Sequence, residues 1–371
     1  MKQLSVRSAA AIIGVSSATM RNWAKAGYVH TIQIKPLSFS DVDVLNLKKK
    51  LSAGTLQKLK TRANKQGSKV SILPAEYATN IELSKDIQEI VSLRKTSSLD
   101  LSAILFFATL RLLELRGEMR RHATTDVGDL QNFHSWRRAS VKAEMDGWFH
   151  QLNTIQFTKE YADIFLSLKQ IYEDDFLGLL YQCLLHEGDK SSRGSYFTAT
   201  KIVEDALRGK ISRNLKFLDP CCGTGKYLTV AAKTLELSPE NIYGFDIDEL
   251  SVKIARINLL LAFPDDDFVP NVQCLNSLTE LATGDILCPT NSFIETFDFV
   301  ATNPPWGAYK NDRMTESLGN GVKSGESYSL FLAKSLTLLK NGGLLSFVLP
   351  ESILRIKATL IKSTHSTGRA L

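Results

Sequence analysis

The chain has 371 residues, 44% of them apolar and 23% charged, with a formal net charge of +6. That composition excludes a largely disordered chain, a collagen-like repeat and a disulfide miniprotein. No run reaches the ~18 uninterrupted apolar residues of a membrane helix, Ala9–Val15 lacks a signal-peptide pattern, and five cysteines without CxxC spacing read as reduced thiols. The expectation is a cytoplasmic protein without structural zinc, any other metal site or a membrane partner.

Charge is uneven along the chain. Residues 1–70 hold 13 Lys and Arg against two acids, Asp41 and Asp43, a balance of +11 that leaves residues 71–371 at −5. A basic block on a mildly acidic body suggests a nucleic-acid-binding head on an enzyme. Ser5–Lys25 reads as two short helices, with Ala9, Ala10, Ile12 and Ile13 on one apolar face. Gly14-Val15 makes the turn, and Ser16 or Ser17 caps the second helix. Met20 and Trp23 then face inward, leaving Thr19, Arg21, Asn22 and Lys25 outward. Such side chains reach phosphates and base edges in a major groove. Gly27 ends the helix, Ile32–Phe39 is extended, and a helix begins near Asp41. The run AAAIIGVSSATMRNWAKAGYV, followed by LSFSDVDVL, resembles the winged helix-turn-helix of the mercury-resistance-regulator family. The resemblance implies a DNA-binding head; a small helical bundle without DNA contact is the plainer alternative.

Lys48–Lys69 reads as a basic helix running into a linker. Residues 80–187 are mostly helical in pattern. They include an apolar helix over Leu101–Leu115 with Arg111 and Glu114 on its wetter side. A helical stretch with Trp136, Arg137, Arg138 and Trp148 follows, its tryptophans in the core, and then a buried helix over Phe176–Leu185. From residue 215 short apolar strands alternate with amphipathic helices. The strand candidates are Leu215–Leu218, Ile242–Phe245, Val272–Leu275, Phe297–Ala301 and Leu344–Leu349. Helices fit near Lys226–Glu236, Glu249–Ala262 and Tyr328–Lys340, the last ended by Asn341-Gly342-Gly343. This alternation predicts an α/β fold, a doubly wound and mostly parallel sheet with its ligand site at the carboxyl ends of the strands.

The first strand runs into FLDPCCGTGKYL, an acid (Asp219) before a glycine-rich turn (Gly223, Thr224, Gly225) that opens a helix. Such a turn lets backbone approach a ligand closely. It lacks the spacing of a phosphate loop or of the dinucleotide fingerprint. Asp246, at the end of the second strand, can accept hydrogen bonds from both ribose hydroxyls of an adenosine ligand, while Asp248 suits the cap of the next helix. The fourth strand ends in Asn303-Pro304-Pro305-Trp306. Two prolines remove two N–H donors, Asn303 adds an acceptor and Trp306 a flat π face. That set suits a planar amine.

With these motifs on view, residues 172–354 resemble the S-adenosylmethionine-dependent N6-adenine DNA methyltransferases of restriction-modification systems. The resemblance implies a Rossmann-like sheet, S-adenosylmethionine as cofactor and adenine N6 in double-stranded DNA as substrate. It also puts Tyr196 and Thr198, in RGSYFTAT, at the methionine end of the cofactor. Ala199 replaces the usual proline, and Asn276 stands where an acid usually meets the cofactor's adenine, which implies weakened cofactor binding. Lys310 and Arg313, in the polar stretch Gly307–Glu326, are expected phosphate contacts. The domains expected are a helix-turn-helix head with basic linker (1–70), a helical region (71–187) and a methyltransferase domain (188–371). Methylation of a glutamine side chain or an RNA guanine, and an impaired DNA-binding remnant, remain alternatives. The family's sheet is ordered 3-2-1-4-5-7-6 and is followed by a target-recognition region. Here only Pro350–Leu371 follows the fifth strand, so the expectation is a sheet incomplete at its C-terminal edge, low activity alone, and a second polypeptide supplying strands and target recognition.

Overall fold

The computed structural model describes residues 3–13, 17–25, 27–34, 37–52, 77, 80–96, 99–120, 135–152, 159–169, 175–185, 198–208, 212, 214–279, 293–306 and 326–349. The chain divides into two compact units, Met1–Val70 and Ser71–Leu371. In the first, β1 (Gln3–Ser5), α1 (Val6–Ile13) and α2 (Ser17–Lys25) precede β2 (Thr31–Ile34), β3 (Leu37–Ser40) and α3 (Asp41–Ser52). The strands form an antiparallel sheet in the order β1-β3-β2. Ala9, Ala10, Met20, Val29, Phe39, Val44 and Leu47 make its core, and Trp23 packs against it half-buried. Gly27, at φ +75°, ends α2 with Tyr28 N–H donating to the Trp23 carbonyl at 3.0 Å.

The second unit begins with helices α4 (Ile81–Thr96), α5 (Leu101–Leu115), α6 (Ala139–Gln151), α7 (Lys159–Ser167) and α8 (Phe176–Leu184), with a short pair β4 (Met119–Arg120) and β5 (Ser135–Trp136) between α5 and α6. The sequence reads Trp136, Arg137 and Arg138 as helical. In the structure Trp136 pairs with Met119 across β4–β5, and Arg137 and Arg138 precede α6. The reason is Glu118, which draws both guanidiniums back to the β4 end instead of letting the helix extend. Trp148 is buried as expected, its indole N–H donating to Ser102 Oγ at 2.9 Å.

α9 (Thr200–Ala206) leads into β6 (Phe217–Asp219), α10 (Lys226–Thr234), β7 (Ile242–Asp246), α11 (Glu249–Ala262), β8 (Asn271–Cys274), β9 (Phe297–Thr302), α12 (Ser327–Leu338) and β10 (Leu339–Phe347). The five strands form a parallel sheet in the order β10-β9-β6-β7-β8. The fold is therefore α/β with the expected strand order. The helical layer shares its core with α11 through Ile254, Ile257, Leu260 and Leu261, which ties residues 83–185 to the sheet. Asn341-Gly342-Gly343 does not terminate a helix. α12 stops at Leu338, and these residues form an irregular stretch of β10, with a register shift between Leu339 and Leu344 and Gly342 at φ +76°. Among the described residues β10 pairs on one side only, with β9; residues 350–371 lie outside them. No described helix is long and apolar enough to cross a membrane.

Candidate active site

The chain leaves the fully buried strand β6 at Asp219 and turns through Pro220 into Cys221–Gly225. Gly223 (φ +51°) and Gly225 (φ +87°) hold left-handed conformations that side chains disfavour. A Cβ on Gly223 would meet nothing within 4 Å, so the turn keeps an open face toward the strand ends. A Cβ on Gly225 would lie 3.0 Å from both Cα and Cβ of Ala255, so this glycine lets α10 approach α11. The turn is fixed by its own bonds. Gly225 N–H donates to the Cys222 carbonyl, Cys222 N–H to the Phe245 carbonyl, and Asn258 Nδ2 to the Thr224 carbonyl, each at 2.9 Å. Lys226, first in α10, pairs with Asp175 before α8 at 2.9 Å.

β7 delivers Asp246 beside this turn. Its Oδ2 accepts Gly223 N–H at 2.8 Å and its Oδ1 accepts Asp248 N–H at 2.9 Å, which leaves lone pairs on both oxygens. Asp248 is the N-cap of α11, taking Leu250 N–H, the Ser251 hydroxyl and the Tyr181 hydroxyl. Asp248 thus takes the helix cap expected of it. Ile247 between them is 73% exposed, an apolar surface next to Asp246 that the sequence reading missed; the signal available was an apolar residue flanked by two acids. Asn276 Oδ1 accepts Leu278 N–H at 3.0 Å, so part of the acceptor expected to meet a ligand is spent on its own turn.

β9 delivers Thr302 and then Asn303. The Asn303 amide nitrogen donates to Thr198 Oγ1 at 2.9 Å, while its Oδ1 is buried and has no partner among the described residues. Pro304 is buried, Pro305 half-buried and Trp306 42% exposed. Thr302 is fully buried. Its hydroxyl lies 2.9 Å from Cys221 Sγ. Thr302, Cys221 and Asn258 were not singled out from sequence, because nothing local marks a strand residue whose partners come from another strand.

The electrostatics are those of desolvated acids. Burial pushes the Asp219 carboxyl up to about 7; hydrogen bonds from Thr302 and the Cys221 amide offset part of this, and the negative charge of Asp246 adds to it. Burial raises Asp246 as well, against the pull of the Asp248 and Gly223 amides. Burial and the nearby carboxylates hold Cys221 and Cys222 as thiols. The Tyr227 hydroxyl, close enough to feel Asp219 and Cys221, is raised by burial and has no hydrogen-bond partner among the described residues.

The structure thus brings Thr198, Asp219, Gly223, Thr224, Gly225, Asp246, Asn276 and Asn303–Trp306 to the carboxyl ends of adjacent strands. Tyr196, Lys310 and Arg313, and the side chains of Thr19 and Asn22, lie outside the described residues. Arg21 and Lys25 are exposed on α2 in the other unit.

Residues 240–365 match the family model of the Eco57I restriction-modification methylases. The type II methyltransferase M.VspI of Vibrio sp. (strain 343) is 30% identical over 182 residues, 48% of this chain and 42% of that protein. The methylase subunit of the type I restriction enzyme EcoEI of Escherichia coli is 26% identical over 196 residues, 49% of this chain and 38% of that one. Among solved structures, the methyltransferase subunit of a type I restriction-modification system from Streptococcus thermophilus is 16% identical with a TM-score of 0.46, covering 74% of this chain and 76% of that one. The chain is similar to restriction-modification methyltransferases, and it spans less than half the length of the curated relatives it matches.

Proposed function

We propose that the chain is an S-adenosylmethionine-dependent methyltransferase acting on adenine N6 in double-stranded DNA, as the modification component of a restriction-modification system. The observation that carries this reading is the buried Oδ1 of Asn303, which has no partner among the described residues. A buried acceptor without a donor costs about 1–3 kcal/mol. An amine hydrogen arriving there recovers that cost, and the adjacent Pro304 carbonyl suits the second hydrogen. Accepting both hydrogens makes the amine nitrogen more tetrahedral and its lone pair more available.

The residues fit the cofactor. Gly223 leaves the space a side chain would fill, Asp246 keeps free lone pairs for ribose hydroxyls, and Ile247 and Asn276 flank the place of an adenine ring. Thr198 and, by resemblance, Tyr196 would line the methionine end. When bound, S-adenosylmethionine supplies an electrophilic methyl group. The chain's own part is then to position the amine and exclude water, since direct displacement asks for alignment more than for a strong base. The target base must leave the duplex to reach Asn303, and the exposed Trp306 ring offers a stacking surface in exchange. In the N-terminal unit, Thr19, Arg21, Asn22 and Lys25 would contact DNA in the manner of a winged helix-turn-helix, and Lys310 and Arg313 would contact phosphates. A relative named as a subunit supports the expectation of a second polypeptide for target recognition.

The test is transfer of labelled methyl from S-adenosylmethionine to duplex DNA by the full chain and by Asn303→Ala. The variant is expected to lose about 100-fold or more in rate while keeping cofactor affinity. Label in protein or RNA alone, or full activity in Asn303→Ala, overturns the reading.

A further inference from the structure

β6 and β9 are hydrogen-bonded neighbours, but their register pairs end at Leu218 opposite Val300. Beyond that point no register pair joins them: β6 runs into the glycine turn and β9 into the Asn303 turn, and a side-chain contact spans the gap. The contact between Cys221 and Thr302 does so. Cys221 N–H donates to Asp219 Oδ1 at 3.1 Å, and Cys221 Sγ and Thr302 Oγ1 lie 2.9 Å apart as hydrogen-bond partners, either of which can donate. The nearby Thr302 hydroxyl also pulls the Asp219 carboxyl down against its burial. The Thr302 carbonyl meanwhile accepts Val348 N–H at 3.0 Å, which fixes the same residue to the chain following β10. All of this lies one peptide unit from Asn303.

We infer that Thr302 is a positioning residue: its hydroxyl extends the β6–β9 register past the end of the ladder and so sets the distance between the glycine turn and the amine-binding Asn303. The inference rests on the methyl-transfer reading. A displacement is sensitive to misplacement of about 1 Å between its two halves, worth on the order of 100-fold in rate. The bond to Cys221 is therefore a control on rate, not on affinity for either partner alone. A threonine that merely satisfied its own hydroxyl would affect stability and leave that rate in place.

The experiment compares the full chain with Thr302→Val, which keeps the shape and the β-branch, and Thr302→Ser, which keeps the hydroxyl. Single-turnover methyl transfer is read at saturating DNA and S-adenosylmethionine, and calorimetry reads the Kd of S-adenosylhomocysteine. Thr302→Val is expected to lose about 10–100-fold in the transfer rate with Kd within about twofold of the parent, and Thr302→Ser to recover most of the rate. A Thr302→Val rate within about twofold of the parent overturns the inference, as does a Kd that rises in step with the fall in rate. Should Thr302→Val fail to fold, Cys221→Ala removes the other end of the same bond and must lower the rate in the same sense, or the inference fails. Methyl transfer by the parent chain to protein or RNA alone overturns the methyl-transfer reading itself, and the inference falls with it.

Discussion

At the carboxyl-terminal end of α11, Glu118 is 2% exposed and is met by two arginines. Arg138 donates to both of its oxygens, at 2.9 and 2.8 Å, and Arg137 adds a third bond at 2.6 Å. Burial pushes the Glu118 carboxyl up, but these bonds and charges outweigh it and hold the group below the usual carboxylate range. Arg138 Nη1 also meets the Leu260, Phe263 and Asp266 carbonyls, its two hydrogens shared among the three, which closes the end of α11. Near the amino-terminal end of α11, Asp219 is 1% exposed, and among the described residues no cation pairs with it. Its nearest charged influence is another acid, Asp246, and its carboxyl is pushed up instead of down. Two carboxylates with little exposed surface are thus paired with cations in one place and, among the described residues, with none in the other. The first fixes where the helical layer meets the sheet; the second leaves a carboxyl at a strand end whose ionisation burial resists.

The sharpest break of this comparison is Arg138→Met. It removes two of the bonds to Glu118 and three carbonyl contacts while filling similar volume, and it leaves a buried carboxylate with Arg137 alone. The expected loss is about 3–5 kcal/mol of stability, read as a shift in the urea midpoint at unchanged slope. A loss below about 1 kcal/mol would mean that the Glu118 network behaves as a surface pair.

The opposite sign is expected at the other end. A carboxyl whose folded pKa is raised stabilises the fold fully below the unfolded value, near pH 4, and that contribution is lost as pH rises through about 7. Asp246 is raised too and acts in the same direction. Asp219→Asn removes the ionisation, so without ligand the variant should gain on the parent as pH rises from 5 to 8, by up to about 2–3 kcal/mol. Melting temperatures across that range check it, and a difference that stays flat with pH removes the argument for an uncompensated charge.

The contrast also marks how far the sequence could be read. The glycine turn and Asn303–Trp306 were legible because each packs its chemistry into a few consecutive residues, and the strand–helix alternation announced the parallel sheet around them. The bonds that set their geometry were not legible. Asn303 meets Thr198 across 105 positions, Cys221 meets Thr302 across 81, and Arg138 meets Glu118 across 20. Local pattern also misread Asn341-Gly342-Gly343, because glycines that end a helix elsewhere here permit a kink in a strand whose register is set by β9.

A smaller effect separates backbone from charge in the same site. Gly225→Ala places a methyl 3.0 Å from Ala255 at a φ of +87°, so both the approach of α10 to α11 and the turn's conformation are strained. About 2–3 kcal/mol of stability should be lost, and cofactor affinity should fall with it, because the glycine turn shifts as a unit. Gly223→Ala is the control. It shares the unfavourable φ but meets open space, so its stability loss should be the lesser and its effect on cofactor binding the greater. Calorimetry and melting curves on the two variants read both quantities, and equal losses would mean that the close approach to Ala255 carries no energy of its own.

The smallest effect concerns a carboxylate that water still reaches. Asp100 is exposed and caps α5, its Oδ1 accepting Ala103 N–H at 2.9 Å from an extended backbone at φ −68° and ψ 137°. α5 buries most of its length, from Ala103 to Leu113, so the helix is held by packing and the cap governs only its first turn. Asp100→Ala frees one backbone donor at a position where solvent can satisfy it, for a cost of about 1 kcal/mol, and Asp100→Ser should recover most of that. The loss should be confined in hydrogen exchange to the amides of the first turn, with the buried middle of α5 opening at the global free energy. If Asp100→Ala instead cost as much as Arg138→Met, burial would not be what separates one carboxylate from another in this chain, and the contrast between Glu118 and Asp219 would need a different cause.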